Sequence, residues 1–308
     1  MNKIIESQLV CIKALNKEGF RGFGFLATIL TFLTLSVAYR YYLNPAVYST
    51  LSHNNGLLGF LFYSVAYFFV LIAVVVFFKK WAALSKIEFW IVSLFVLLVL
   101  YVNQFCPVYS SLFKEYCHYD FTHKLGYNLQ CVFTYSLPPL IFWWGYHRKL
   151  HPEWNAYGWH FSVKGISPYI VMFMLMTPLL VWAAFRPDFQ LAYPRYSPGI
   201  FEAFLNVPPI LTVSAFEISY TLQFIALEWF FRGFIVMALS RFLGQHAVWV
   251  MVFVYVFLHF GKPMHETIGS FFGGLILGNA ALHTKSIWGG IVVHVGIALL
   301  MELFAYLI

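Results

Sequence analysis

The sequence predicts an all-α fold, a polytopic membrane helical bundle of about eight transmembrane helices. The chain is 61% hydrophobic and has a mean hydropathy of +0.75. Only 10% of its residues are charged, against about 25% in an ordinary soluble domain. Apolar runs also recur along the whole chain, with lengths near the ~20 residues that a helix needs to cross a bilayer.

The amino-terminal part combines a polar leader with apolar runs that end at charges or prolines. Residues 1–18 are polar and predict a short cytoplasmic leader. Lys79 and Lys80 end the second run, and Pro138 and Pro139 predict a kink in the fourth. The spans predicted here are residues 20–42, 56–78, 87–105, 131–146 and 166–185.

The carboxy-terminal part begins after a proline-rich connection at residues 186–209. The next apolar run, 210–243, is longer than the ~20 residues of a perpendicular span, so it must tilt, protrude or break into two helices. Further spans are predicted at residues 246–260, 267–282 and 287–307. The predicted organisation is a leader, a transmembrane scaffold and a functional core, at residues 1–18, 19–199 and 200–308.

The net charge of +7 reflects lysine and arginine in the connections between spans. These residues cluster before the first span, after the second and after the fourth, which all face one side if the amino terminus is cytoplasmic. The sequence has no basic patch interleaved with aromatic residues, so we expect membrane lipid as a partner and no nucleic acid.

The cysteines argue against a thiolate metal site, because no two of them form a CxxC pair. Cys106 and Cys117 are predicted to share a loop. They can form a disulfide if that loop faces an oxidising compartment.

Three charged residues lie in the stretch from Glu217 to Gly233, inside the apolar run 210–243. Glu228 and Arg232 are four residues apart, so on a helix they lie one turn apart and can pair. Glu217 precedes Glu228 by close to three helical turns and faces the same way. A charge near the bilayer centre costs roughly 2.5–3.5 kcal/mol on insertion scales. The stripe is therefore either a structural ion pair or a buried catalytic or transport site.

Two histidines on the following spans join this stripe as candidate site residues. His259 ends one apolar run and His294 lies in the middle of the last. Either one alone is more often a packing residue, but together beside Glu228 they indicate a site. Glu266 follows His259 after Pro263, which interrupts the helix and leaves their relative orientation open.

This set of residues suits hydrolysis. A carboxylate in a dry pocket can act as a general base on water near neutral pH. Imidazoles can orient the water, stabilise an oxyanion or bind a metal, and zinc held by His259, His294 and Glu228 would have enough protein ligands. The HExxH zinc motif is absent, because no second histidine follows His265 and Glu266 at the required spacing.

The spacing of these residues resembles that of the CPBP family, the CAAX-protease and bacteriocin-processing group of intramembrane endopeptidases. The resemblance lies in the segment from Glu228 to Gly233, then His259, then a glycine-rich run, then His294. It covers about residues 200–308. It implies a glutamic or metal-dependent peptidase with Glu228, Arg232, His259 and His294 in the site and Glu266 as a secondary candidate.

The sequence departs from the family pattern at three positions. The first of two adjacent glutamates, which the family is thought to use as base, is replaced by Leu227. A usual polar residue is replaced by Ala298, and the usual phenylalanine four residues before His259 is Tyr255. If the activity is present, Glu228 must act as the base, or Glu217 or Glu266 must substitute for the missing carboxylate.

The leading hypothesis is an intramembrane endopeptidase that cleaves a membrane-associated or CAAX-like peptide or protein, in the bacterial inner membrane. An inactive family scaffold with an immunity or partner-binding role is the alternative, favoured by Leu227 and Ala298. A proton-coupled transporter built on Glu217 and Glu228 is a third hypothesis, although the sequence has neither an internal repeat nor paired broken helices.

Overall fold

The computed structural model describes residues 2–43, 56–106, 108–112, 120–161 and 163–308. Within these ranges all regular secondary structure is helical, so the all-α prediction is confirmed. The principal helices are α1 (Asn2–Lys17), α2 (Phe20–Ala38), α3 (Gly56–Phe77), α4 (Ile87–Phe105), α5 (Asp120–Phe142), α6 (Val163–Ala184), α7 (Pro209–Glu228), α8 (Val236–Leu243), α9 (Ala247–Leu258), α10 (Met264–Thr284) and α11 (Trp288–Leu307).

Six helical segments of the described chain are long and apolar enough to cross a membrane. One of them, Pro209–Gly261, has 53 residues and would be about 80 Å long if straight, more than twice the ~30 Å hydrocarbon layer. The protein is therefore a polytopic membrane bundle, and the predicted number of eight spans stays a prediction. The other segments are Phe20–Leu43, Leu58–Phe77, Ile87–Phe105, Gly165–Ala184 and Trp288–Leu307.

Two predicted spans differ from the observed helices. The fourth was predicted at residues 131–146, but α5 already begins at Asp120, because a polar first half does not prevent helix formation. The long run at 210–243 does not break into separate helices. Instead α7 continues through a π-helical segment, Trp229–Ile235, into α8. The chain turns only at Gly244, whose φ of +64° suits glycine best.

The bundle core is formed jointly by the amino-terminal and carboxy-terminal halves. Helix α9 is almost wholly buried and packs against α3 and α10, while α7 packs against α5 and α11. Aromatic contacts join the halves directly, since the rings of Phe25 and Trp249 are 5.5 Å apart. An apolar core of this kind leaves the few buried charged groups as exceptions that need partners.

The predicted leader is a helix that packs along the carboxy-terminal part. In α1, Gln8 donates from Nε2 to the carbonyl oxygen of Ile276 at 3.0 Å. Asn279 donates in turn to Gln8 Oε1 at 3.3 Å. These polar contacts fix α1 to α10. The disulfide predicted between Cys106 and Cys117 stays a prediction, because Cys117 lies outside the described residues.

Candidate active site

Glu228, Arg232 and His294 form a buried ionic group at the junction of α7, the π segment and α11. Glu228 Oε1 lies 2.9 Å from Arg232 Nη1. The same oxygen accepts a hydrogen bond from His294 Nδ1 at 2.7 Å. The pairing expected from the four-residue spacing of Glu228 and Arg232 is therefore present, and His294 joins it from the last helix. The side chain of Glu228 is fully buried, whereas that of His294 is 14% exposed.

Two further residues lie next to this ionic group. Tyr255 is on α9, and His259 follows the end of α9. The Tyr255 hydroxyl lies 3.2 Å from His294 Nε2. Arg232 Cζ lies 4.1 Å from the centre of the Tyr255 ring, a cation–π distance. His259 Nδ1 donates to the Tyr255 carbonyl oxygen at 2.8 Å. We call Glu228, Arg232, Tyr255 and His294 the core cluster. His259 adjoins it.

A glycine on α11 makes room for Glu228. A Cβ atom added at Gly290 would collide with Glu228 Oε2. This oxygen is buried and has no hydrogen-bond partner among the described residues. Glycine at this position therefore lets α11 approach Glu228 closely enough for His294, one turn further along, to reach Oε1.

A strained turn holds the π segment in place from outside. Asn155, Ala156 and Tyr157 have φ values of +41°, +52° and +59°, a left-handed run that non-glycine residues rarely adopt. Trp229 Nε1 donates to the Ala156 carbonyl oxygen at 2.8 Å. A Cβ atom on Gly233 would lie 2.6 Å from the Tyr157 carbonyl oxygen. Because Gly233 has no side chain, the turn can pack directly against the π segment beside Arg232.

The comparison with known families agrees with this geometry. Residues 209–300 match the family model Rce1-like, described as type II CAAX prenyl endopeptidase Rce1-like. The predicted family resemblance is confirmed. The matched range, called here the Rce1-like segment, contains every member of the core cluster and His259. No curated protein and no solved structure is detectably similar to the chain.

Two of the three departures from the family pattern, Leu227 and Ala298, are apolar and buried. Leu227 is 8% exposed and packs in the main hydrophobic core. Ala298 is 5% exposed and packs beside Tyr220 and Phe216. Neither position brings a polar group to the site, so the chemistry has to come from the core cluster and His259.

Glu266 and Glu217 lie apart from the core cluster. Glu266 Oε2 accepts a hydrogen bond from the Tyr193 hydroxyl at 3.2 Å and lies 3.9 Å from Lys262 Nζ. Both carboxylate oxygens of Glu217 are buried without a hydrogen-bond partner among the described residues. The sequence could not place Glu266, because Pro263 ends the regular spacing. Neither acid contacts the histidines that it was expected to assist.

The predicted zinc ligands do not gather into a metal site. Among the described residues, no group of three histidine, cysteine, aspartate or glutamate side chains is arranged to hold a metal ion. Glu228 Oε1 is already occupied by Arg232 and His294, and His259 Nδ1 by a carbonyl oxygen. A zinc ion on His259, His294 and Glu228 therefore stays a prediction that this ligand arrangement does not support.

A second group that also contains a glutamate, an arginine, a histidine and a tyrosine lies near the termini of other helices. Glu88, near the start of α4, is within 2.9 Å of His147 Nε2 and also pairs with Arg241 of α8. His147 Nδ1 is hydrogen-bonded to the Tyr157 hydroxyl. We call Glu88, His147, Tyr157 and Arg241 the helix-end cluster. Burial lowers the pKa of His147, although Glu88 opposes this. Sequence reasoning missed this cluster, whose members are too distant in sequence for spacing to relate them.

Proposed function

We propose that the protein is an intramembrane endopeptidase that hydrolyses a peptide bond near the carboxyl terminus of a membrane-associated, CAAX-like substrate. The observation that carries this proposal is the hydrogen bond from His294 to the buried carboxylate of Glu228 within the Rce1-like segment. The substrate class is taken from the description of the matched family.

In this proposal His294 is the general base and Glu228 is its positioning residue. A carboxylate that accepts from one imidazole nitrogen fixes the tautomer and leaves a lone pair on the other nitrogen. His294 is partly exposed, whereas Glu228 is fully buried and its Oε1 already carries two partners. The water-activating role, which was expected of Glu228 from the sequence, is thereby assigned to His294. Arg232 balances the charge of the carboxylate.

The reaction follows from these roles. A water molecule loses a proton to His294 Nε2 as its oxygen bonds to the scissile carbonyl carbon, and the carbonyl electron pair moves onto its oxygen. The imidazolium then returns the proton to the amide nitrogen as the carbon–nitrogen bond breaks. Glu228 stabilises the transient positive charge on His294, which favours proton uptake. His259 lies beside the site, where its ring contacts that of Tyr255 and its Nδ1 is held by the Tyr255 carbonyl oxygen.

The test is cleavage of a farnesylated peptide ending in a CAAX motif by the full chain in lipid nanodiscs. We expect His294→Ala to lower kcat by about 10²–10⁴-fold, the usual contribution of a general base. His283→Ala, which removes an exposed histidine near the end of α10, is the matched control and should leave kcat unchanged. Full activity of the His294 variant would overturn the proposed role.

The alternative is a family scaffold that binds a partner without cleaving it, and Leu227 is the observation that favours it. A buried leucine occupies the position of the glutamate that the resemblance implies as base. The variant Leu227→Glu distinguishes a protease from a non-cleaving scaffold. Activity that appears only in this variant would identify the natural protein as a catalytically silent scaffold, whereas activity of the unaltered chain supports the protease.

We also propose that the amino terminus faces the cytoplasm of a bacterial inner membrane. Support comes from the lysine and arginine bias described above. Alkylation of a cysteine placed at Lys149, after the fourth predicted span, tests the orientation in sealed vesicles of known sidedness. Labelling from the periplasmic side would contradict it.

A further inference from the structure

Tyr255 connects all the other groups of the site. Its hydroxyl lies 3.2 Å from His294 Nε2, its ring lies under the Arg232 guanidinium, and its carbonyl oxygen holds His259. The side chain itself is only 4% exposed. The position is phenylalanine in the pattern that the family resemblance implies, so the hydroxyl is an addition to that pattern.

The site needs a hydrogen-bond donor that the two imidazoles do not supply. A carbonyl oxygen cannot donate, so the proton of neutral His259 lies on Nδ1 and its Nε2 carries a lone pair. The same argument holds for His294, whose Nδ1 donates to Glu228. In neither neutral histidine, therefore, is a ring N–H left to donate, whereas an oxyanion requires a donor.

The Tyr255 hydroxyl fills this role. It meets His294 at Nε2, where the lone pair can only accept, so in the resting site the hydroxyl is the donor of that hydrogen bond. The Arg232 guanidinium over the ring fixes the position of the phenol and places positive charge beside it. We propose that the Tyr255 hydroxyl is a catalytic residue that donates a hydrogen bond to the oxyanion of the tetrahedral intermediate. This inference rests on the proposed protease function.

The transfer of this hydrogen bond is coupled to the chemistry. The attacking water first displaces the Tyr255 hydroxyl from the single lone pair of His294 Nε2 and then gives up its proton there. The displaced hydroxyl turns to the substrate carbonyl oxygen and donates to it as the electron pair moves onto that oxygen. Tyr255 keeps its proton throughout. When the carbon–nitrogen bond breaks, the carbonyl re-forms, the proton of His294 leaves with the amine, and the resting hydrogen bond returns.

The substitution that isolates the hydroxyl is Tyr255→Phe. It keeps the ring, its contact with Arg232 and the carbonyl that holds His259. Tyr67→Phe is the matched control, because Tyr67 is equally buried and its hydroxyl donates to Ser93 Oγ at 2.7 Å in the amino-terminal half. Each variant thus loses one buried tyrosine hydroxyl, and thermal unfolding of both in nanodiscs checks that the fold is kept.

The experiment measures kcat, KM and the affinity of a peptide phosphinate, a mimic of the tetrahedral intermediate, on the full chain. Loss of one oxyanion donor typically lowers kcat by about 10²–10³-fold, so Tyr255→Phe should lose this factor with KM changed less than about threefold. Phosphinate affinity should fall by a similar factor, while affinity for an uncleavable substrate analogue is kept. Tyr67→Phe should match the unaltered protein in all three values.

The outcomes separate this inference from the function on which it rests. An active unaltered protein and a Tyr255→Phe variant within about threefold of it in kcat and phosphinate affinity would overturn the donor role and leave the protease intact. Equal losses of affinity for the phosphinate and the substrate analogue would show a merely structural residue. An unaltered chain that neither cleaves peptides nor binds the phosphinate would overturn the protease function and this inference with it.

Discussion

The core cluster and the helix-end cluster contain the same four residue types, a glutamate, an arginine, a histidine and a tyrosine, but their exposure is reversed. In the core cluster the ion pair is hidden, since the side chains of Glu228 and Arg232 are 0% and 1% exposed. His294 is the member that reaches accessible surface, at 14%. Its Nδ1 is occupied by Glu228, and its Nε2 faces Tyr255 at the edge of the site.

In the helix-end cluster the histidine is hidden and the ion pair is open. His147 is 0% exposed, while the side chains of Glu88 and Arg241 are 20% and 23% exposed. Both His147 and His294 have a partner at each ring nitrogen, so the clusters differ in exposure and not in hydrogen bonding. Composition alone therefore does not make a reactive site. A histidine can act on a substrate when one nitrogen is oriented by a buried acid and the other is within reach.

The largest difference is expected when the two glutamates are changed in the same way. Glu228→Gln should lower kcat by about 10²–10⁴-fold, because the amide does not stabilise the imidazolium of His294. Glu88→Gln should leave kcat within about threefold, since its histidine is fully buried and lies outside the core cluster. Peptide cleavage in nanodiscs measures both. Comparable losses in the two variants would remove the distinction between the clusters.

The two arginines should differ in stability. Arg232→Ala leaves a fully buried carboxylate without its counter-ion and should lower the free energy of unfolding by about 3–5 kcal/mol. Arg241→Ala breaks a partly exposed pair and should cost at most about 1 kcal/mol. Denaturant unfolding in mixed micelles compares them. An Arg232 variant as stable as the Arg241 variant would contradict the buried pairing.

The fit of Glu228 against α11 gives a smaller expected effect. Gly290→Ala introduces a methyl group where Glu228 Oε2 lies and should cost about 1–3 kcal/mol, with loss of activity as His294 is pushed away. Gly273→Ala on α10 is the matched control, because no atom lies within 4 Å of the added methyl group. A destabilised Gly273 variant with an unaffected Gly290 variant would contradict the close approach.

The smallest effect expected is a pH dependence of stability from His147. Burial lowers the pKa of His147 below its ordinary value of 6.5, so the unfolded chain takes up this proton first as the pH falls. The resulting stability is present above pH 6.5 and is lost as the pH falls from there toward the lowered pKa. The free energy of unfolding should therefore decrease as the pH falls below 6.5. His147→Gln should remove this dependence, and an unchanged acid slope in that variant would assign it to another group.

Sequence spacing predicted the parts of the site that lie within one helix or on neighbouring spans. The pairing of Glu228 with Arg232 follows from one turn of helix, and His294 was expected beside them because an intramembrane charge needs partners. The helical bundle followed equally directly from composition. Other features of the site depend on tertiary packing.

The role of the Tyr255 hydroxyl is one of them. From the sequence, Tyr255 is only a replacement for phenylalanine, although a polar group one helical turn before His259 was a signal that could have indicated a role in the site.

The remaining differences have local physical causes. Glu266 is directed to Lys262 and Tyr193 because Pro263 resets the helix between it and His259. The polar first half of α5 concealed its true start, because hydropathy reports membrane burial and not helix formation. Glu88 contacts residues that lie 59 and 153 positions further along the chain, His147 and Arg241, so periodicity within a single segment could not reveal these contacts.

The π segment Trp229–Ile235 affects how sequences can be aligned to this one. A π turn arises as one residue more than an α-helix would hold. Deletion of one residue within it would restore a regular helix while leaving α8 close to its present orientation, so Arg241 would stay near Glu88. Helical wheels should therefore be drawn separately before Trp229 and after Ile235. A single-residue gap in this stretch of a related sequence would mark a change of helix type, with the following helix facing the same way.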